Sequence, residues 1–200
     1  NQLFGEVDKV LSQARAKKAD LYSPSNFKKG MEYYDQGSDT YSKGGRLEEV
    51  RDQLKNAAAY FAKGLDICAK GEVAFSKPMA ARTDAGSAGA PKYSSQLWLE
   101  GEEKFNRAAR NLEDGDLQSA DEEGRKAEIL YRAAELEAIK ANYLSPAWEL
   151  LKKADDTGVK DHAPRTLARA RSLATLAEAL LKQNRYDTDS ARQLAQEAKY

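Results

Sequence analysis

A pattern of about seventy residues recurs three times along the 200-residue chain, and this recurrence limits the possible folds more than any other feature. The copies begin at Tyr22, Tyr93 and His162, so they are offset by 71 and then 69 residues. Each copy has an apolar residue followed, three positions later, by a small residue. The apolar residues are Phe27, Trp98 and Leu167, and the small residues are Gly30, Gly101 and Ala170. An internal period of this length indicates one structural unit used repeatedly.

Each copy is predicted to be a helix, a tight turn and a longer second helix. Apolar and small residues between Phe27 and Tyr41 recur every three or four positions, as on one face of a helix. The turns are expected at Gly44-Gly45, Gly115-Asp116 and Asn184-Arg185, and glycine readily adopts the left-handed conformation that ends a helix. The second helices carry apolar heptads, which are typical of antiparallel helix packing. The heptad positions are Leu47, Val50, Leu54, Ala57, Phe61, Gly64, Cys68 and Phe75 in the first copy, and Leu117, Ala120, Gly124, Ala127, Tyr131, Ala134, Ala138 and Ala141 in the second.

These patterns predict an all-α fold of elongated antiparallel helical hairpins, or a bundle, built from about three helix-turn-helix repeats. Residues 1–75 are expected to form an N-terminal helix and the first hairpin, and residues 76–92 an Ala/Gly/Pro loop. Residues 93–160 are expected to form the second hairpin and a short helix, and residues 161–200 a third hairpin. This third hairpin is shorter than the others, so we expect the natural protein to continue past residue 200.

The composition argues against several classes of function. Lys+Arg and Asp+Glu both number 32, so the chain lacks the basic excess of a nucleic-acid binder. No apolar run approaches the roughly 18–20 residues that span a bilayer. One cysteine, Cys68, and one histidine, His162, are too few for a Cys/His zinc site, and no phosphate-binding loop or nucleophile elbow occurs. We therefore predict a non-enzymatic protein without catalytic residues, cofactor or metal.

Aromatic residues are the best candidates for binding a partner. Tyr33, Tyr60 and Trp148 are the predicted partner-binding residues, because tyrosine and tryptophan suit surfaces that are half apolar and half wet. Tyr33 lies off the apolar stripe of its helix, whereas Tyr34 and Tyr41 lie on it and are expected to pack inside. A groove of tetratricopeptide type, lined by these aromatic residues, is an alternative, although such repeats run to about 34 residues with shorter helices.

The repeated sequence resembles a bacterial cell-envelope domain of unknown function. The resemblance is clearest from Ala90 through Gly115-Asp116-Leu117 to Lys140. Domains of this kind occur in lipoproteins, often N-terminal to an OmpA-like peptidoglycan-binding domain. The chain departs from the pattern at Ser95, where the other copies have Pro24 and Pro164, and it has no lipid-acceptor cysteine near its start.

The resemblance implies a location in the periplasm, associated with the outer membrane. It also implies a structural or interaction module, acting as a spacer or docking segment that parts outside this chain tether near the outer membrane or peptidoglycan. The expected partner is an envelope protein or a cell-wall component. A peptide- or glycan-binding helical repeat with an aromatic-lined groove is the alternative.

Overall fold

The computed structural model describes residues 3–183 and 189–199. Within these ranges the chain forms α-helices and no strand, so the prediction of an all-α fold is confirmed. The predicted third turn at Asn184-Arg185 lies outside the described residues. A π-helical turn, Lys140–Leu144, lies between the eighth and ninth helices. The helices are α1 Gly5–Ala16, α2 Ala19–Tyr22, α3 Pro24–Ser42, α4 Leu47–Ala74, α5 Ser76–Ser87, α6 Ala90–Tyr93, α7 Ser95–Glu113, α8 Leu117–Ile139, α9 Ser145–Asp156, α10 Val159–His162, α11 Pro164–Gln183 and α12 Asp189–Glu197.

The helices group into two compact units. Unit 1 comprises residues 1–76 and 103–126, and unit 2 comprises residues 77–102 and 127–200. Residues 103–126 of unit 1 lie in the chain between the two stretches of unit 2. Both boundaries of this segment fall inside helices, in α7 and in α8. The sequence instead assigned residues 93–160 to one segment, because periodicity follows the chain and carries no information about which distant residues pack together.

Three kinds of helix recur at the offsets seen in the sequence. Helices α1, α5 and α9 each have 12 residues, and α2, α6 and α10 each have four. Helices α3 and α7 have 19 residues and α11 has 20. Each four-residue helix follows a left-handed residue, with φ of 55° at Lys18, 85° at Gly89 and 71° at Gly158. Lysine is an unusual residue for this conformation, which costs an L-residue about 1–2 kcal/mol.

The predicted loop at residues 76–92 is wrong. This stretch contains α5, Ser76–Ser87, and α6, Ala90–Tyr93. Pro78 lies in the first turn of α5, where backbone N–H groups have no intrahelical acceptor and proline is tolerated. Ala81 and Ala85 are buried on one face of the same helix. The alanine content, which the sequence interpretation grouped with glycine and proline, favours a helix over a loop.

In unit 1, α3 packs along α4 at a seam where glycine on one helix meets a large side chain on the other. A Cβ atom on Gly30 would lie 2.5 Å from the Phe61 ring, and one on Gly37 would lie 2.9 Å from Leu54. The predicted heptad from Val50 to Phe75 is buried, whereas Leu47, the first residue of α4, is 54% exposed. Glycine therefore sets the close approach of these helices.

The other edge of α3 contacts the N-terminal part of unit 1. Phe4 makes edge-to-face contacts with Tyr34 and Tyr41, at centroid distances of 6.0 and 5.7 Å. The Tyr34 hydroxyl donates a hydrogen bond to Asp8 of α1, at 2.8 Å. Tyr41 nevertheless stays 43% exposed, so its predicted packing inside the core is only partial. It lies in the last turn of α3, next to the exposed turn that follows this helix.

The N-terminus of α3 is capped by a carboxylate from a distant part of the chain. Glu113, the last residue of α7, accepts hydrogen bonds from the backbone N–H groups of Ser25 and Asn26, at 3.1 and 2.8 Å. The Ser23 hydroxyl and the Asn26 side-chain amide also donate to it, at 2.6 and 2.9 Å. A helix N-terminus favours a negative charge, and this one is satisfied within unit 1.

The glycine seam predicts the effect of adding one methyl group. Gly30→Ala should lower the free energy of unfolding by about 1–2 kcal/mol, because overpacking against Phe61 outweighs the gain in helix propensity. Gly5→Ala is the matched control, because a Cβ there has no neighbour within 4 Å. Urea unfolding followed by circular dichroism measures both. A Gly30→Ala protein as stable as the wild type would contradict the close packing of Gly30 against Phe61.

The cap predicts a second loss of stability. Glu113→Gln should lower the free energy of unfolding by about 1–3 kcal/mol, because the amide lacks the charge and has only one acceptor oxygen for four donors. Asp114→Asn is the control, since Asp114 is the exposed neighbour of Glu113. The same urea titration compares them, and equal stabilities would show that Glu113 is not a cap.

Candidate aromatic and basic interaction surface

Two of the three predicted partner-binding residues lie together in unit 1. Tyr33 of α3 and Tyr60 of α4 stack with their ring centroids 5.6 Å apart and their planes at 13°. Both side chains are partly exposed. Offset stacking of this kind stabilises the pair by about 0.5–1.5 kcal/mol beyond the area it buries. The rings thus form a fixed apolar surface that remains accessible to solvent.

Two lysines lie beside this stack. The Nζ atom of Lys29 is 5.6 Å from the Tyr60 ring centroid, and the Nζ atom of Lys63 is 5.1 Å from it. An ammonium group at this distance is attracted by the negative face of an aromatic ring. We call the four residues Lys29, Tyr33, Tyr60 and Lys63 the aromatic-basic patch.

Helix geometry explains why the patch forms. Lys29 and Tyr33 are four residues apart on α3, and Tyr60 and Lys63 are three apart on α4, so each pair shares one face of its helix. Tyr60 directly precedes Phe61, whose ring packs 5.7 Å from Phe27 at the seam. The buried residue therefore fixes the position of the exposed one.

The third predicted residue belongs to the other unit. Trp148 lies on α9 in unit 2 and is 37% exposed. Two residues further on, Leu150 is 46% exposed, while Ala147 and Leu151 are buried. Trp148 is therefore at the edge of the buried face of α9, as expected for an amphipathic ring.

Lys29 and Lys63 were missed by the sequence interpretation. A signal for both was present, because a lysine three or four residues from a tyrosine on a helix can contact its ring. Lysine is common in this chain, however, and spacing alone does not separate a contacting lysine from a solvated one. The stack between α3 and α4 had no sequence signal, since it depends on the register of the two helices.

Unit 2 contains a half-buried polar cluster that the sequence interpretation also missed. Arg82 of α5 forms a bidentate pair with Glu102 of α7, at 2.7 and 3.0 Å. The Tyr131 hydroxyl of α8 donates to the same carboxylate at 2.6 Å, and the Arg82 guanidinium lies 5.3 Å from the Trp98 ring. A Cβ on Gly101 would lie 2.8 Å from the Tyr131 ring. The ring therefore packs against a glycine, as Phe61 does against Gly30 in unit 1.

This cluster is built for structure. Burial raises the pKa of Glu102, but the hydrogen bonds from Arg82 and Tyr131 outweigh it and hold that pKa below its usual value. Burial and the Glu102 hydrogen bond raise the pKa of Tyr131 far above its usual range. Neither group is poised to exchange protons near neutral pH, where an acid–base catalyst is most effective.

The other candidate reactive groups are also poorly placed for chemistry. Cys68 is 1% exposed, and burial raises the pKa of its thiol to about 11, so the reactive thiolate is scarce. His162 is exposed at the end of the four-residue helix α10. Among residues 3–183 and 189–199, no group of three or more His, Cys, Asp or Glu side chains could hold a metal ion.

Comparison with known proteins finds no relative of this chain. No protein family, curated protein or solved structure matches the chain. Within the described part of the chain, no helix is both long enough and apolar enough to cross a membrane.

The Glu102 cluster predicts a pH dependence of stability. A carboxyl with a lowered pKa in the folded state stabilises the fold above its unfolded pKa, near 4.5, and this contribution is lost as the pH falls through the folded pKa. Glu102→Gln should therefore unfold about 1–3 kcal/mol more easily than the wild type at pH 7. The difference in free energy of unfolding between the wild type and Glu102→Gln should narrow as the pH falls from 5 to 3.

Glu103→Gln is the matched control for this pH series. Glu103 is the adjacent exposed carboxylate and, within residues 3–183 and 189–199, pairs only with Arg107 on the same helix, so its loss should change stability by less than about 0.5 kcal/mol. Chemical unfolding at each pH measures both variants. A gap between wild type and Glu102→Gln that does not change with pH would contradict the prediction.

Proposed function

We propose that this chain is a non-catalytic docking module of a bacterial envelope protein, built from about three copies of one helical unit. The recurrence of helices of 12, 4 and 19–20 residues at the offsets of the sequence pattern supports the three copies. The envelope location, in the periplasm and associated with the outer membrane, rests on the family resemblance of the sequence. The partner is an envelope protein or a cell-wall component.

The aromatic-basic patch is the observation that carries a docking role. Exposed stacked tyrosines supply rigid contact area at a low cost in side-chain entropy, and tyrosine is enriched at protein interfaces. Lysines beside the rings add charge and orientation. A chain that acted only as a spacer would have no use for an ordered aromatic surface of this kind.

A spacer is the second candidate, and the glycine seams favour it. Side chains that fill glycine notches at Gly30, Gly37 and Gly101 hold paired helices close together in each unit. Closely packed cores of this kind resist deformation, which a rigid spacer needs. The two roles differ in one respect, because only docking depends on the identity of the exposed residues.

Site-specific photocrosslinking in cells tests the docking role. A benzoylphenylalanine at position 60 in the full-length protein should give a crosslinked adduct in the envelope fraction. The same residue at position 55 should give none, because Lys55 is an exposed residue of α4 outside the patch. Recovery of the adduct with the membrane or cell-wall fraction would support the envelope location.

Two outcomes of this experiment would count against the proposal. A folded protein that gives no adduct at position 60 would leave the spacer role as the better account. A protein found in the cytosolic fraction would remove the envelope location. Replacing the segment by an unrelated helical segment of equal length separates the roles further, since a spacer tolerates the exchange and a docking module does not.

A further inference from the structure

The aromatic-basic patch lies on a flank of the α3–α4 pair whose middle part carries no carboxylate. This flank consists of the residues that share a helix face with Tyr33 or Tyr60, at successive spacings of three and four. Its members are Lys29, Tyr33, Gln36 and Thr40 on α3, and Gln53, Asn56, Tyr60, Lys63, Ile67 and Lys70 on α4. These ten positions carry three lysines and no carboxylate, and the next position at the same spacing, four residues before Gln53, is Glu49.

The positive charge of the flank is not neutralised within the structure. Among the described residues, Lys29, Lys63 and Lys70 form no ion pair. The nearest acidic residues along the helices are Glu32, which pairs with Lys28, and Asp66, which lies three residues from Lys63 and four from Lys70. At the start of α3, Glu113 is engaged by four donors of the helix cap.

The described residues of unit 1 leave much of the flank exposed. Contacts of α3 with Phe4 and Asp8 come from Tyr34 and Tyr41, on the other edge of the helix. Lys29, Gln36, Asn56, Lys63 and Lys70 are all exposed. The face thus combines a preformed aromatic surface with two lysines, Lys29 and Lys63, that contact the Tyr60 ring.

We infer that this flank binds an acidic peptide segment of a partner protein, and this inference rests on the proposed docking function. The same segment carries an aromatic or large apolar side chain. The apolar side chain contacts the Tyr33–Tyr60 stack, and carboxylates on either side of it pair with Lys29 and Lys63. Gln36 and Asn56 offer exposed side-chain amides along the same face, and amides can hydrogen-bond an extended peptide backbone. Charge complementarity selects an acidic partner over a basic one.

Binding of a defined peptide tests this inference. The probe is a fluorescein-labelled octapeptide, Glu-Glu-Phe-Glu-Glu-Phe-Glu-Glu, titrated with the full chain and followed by fluorescence anisotropy. We expect a Kd on the order of 0.1 mM at about 50 mM salt, weakening several-fold at about 500 mM salt because the charges are exposed. The isosteric peptide with Gln for every Glu should bind at least about tenfold more weakly.

Matched charge reversals show where the peptide binds. The double variant K29E/K63E should weaken binding at least about tenfold, since two attractions become repulsions. The double variant K9E/K55E makes the same change in net charge at exposed lysines outside the flank and should change binding less than about twofold. Tyr60→Leu keeps an apolar contact but loses the ring, and should weaken binding several-fold. Circular dichroism of each variant confirms that it is folded.

Several results would overturn the inference. These are no binding of the acidic peptide up to about 5 mM, equal binding of the Gln peptide, or equal effects of the two double variants. Tighter binding of a hyaluronan octasaccharide than of the peptide would assign the flank to an anionic glycan. Self-association that K29E/K63E abolishes would assign it to a second copy of the chain. If position 60 crosslinks in cells, any of these results contradicts only the acidic-peptide inference and leaves the docking function supported. Absence of that crosslink would contradict both the docking function and the inference.

Discussion

Close approach of paired helices, made possible by glycine, is the interaction on which the rest of the structure depends. At Gly30 and Gly101 an aromatic ring on the facing helix occupies the space that a Cβ atom would need. The rings belong to Phe61 and Tyr131, and both are fully buried. Alanine fills much of the remaining core, so each turn of helix buries little apolar area. The few large rings therefore supply a disproportionate share of the packing, and the glycines decide where they fit.

The seam also determines what is exposed. A helix residue next to a buried one is rotated by about 100°, so a fixed Phe61 places Tyr60 at the flank of the pair. In the same way a fixed Gly30 places Tyr33, three residues later, on the flank of α3. The stack between the two tyrosines follows from the register that the seam imposes. A docking surface built in this way is rigid, because its position is set by the core of unit 1.

Sequence periodicity predicted the helices and the buried stripe well, because both depend on local spacing. The heptad from Val50 to Phe75 is buried as expected, and the two turns at Gly44 and Gly115 have the left-handed glycine. The loop at residues 76–92 was wrong because glycine and proline were given more weight than alanine, although Pro78 lies in a first turn that tolerates it. The sequence also offered no sign of the Glu113 cap or the Arg82–Glu102 pair. Both join residues that only the folded chain brings together.

The candidate surface shows a similar division. Tyr33 and Tyr60 could be selected from sequence as aromatic residues suited to a surface, and Tyr33 also because it lies off its apolar stripe. Their stacking and the adjacent lysines required the register of two helices.

The balance of 32 basic and 32 acidic residues likewise conceals a local separation. Some acidic residues are paired with a basic residue one turn away, as in Glu103–Arg107 and Asp121–Arg125, and the charges of such pairs largely cancel. Among the described residues, Lys29 and Lys63 form no ion pair, and both lie beside the Tyr60 ring. A face that combines such cations with an accessible aromatic stack is able to attract a partner that is both acidic and apolar.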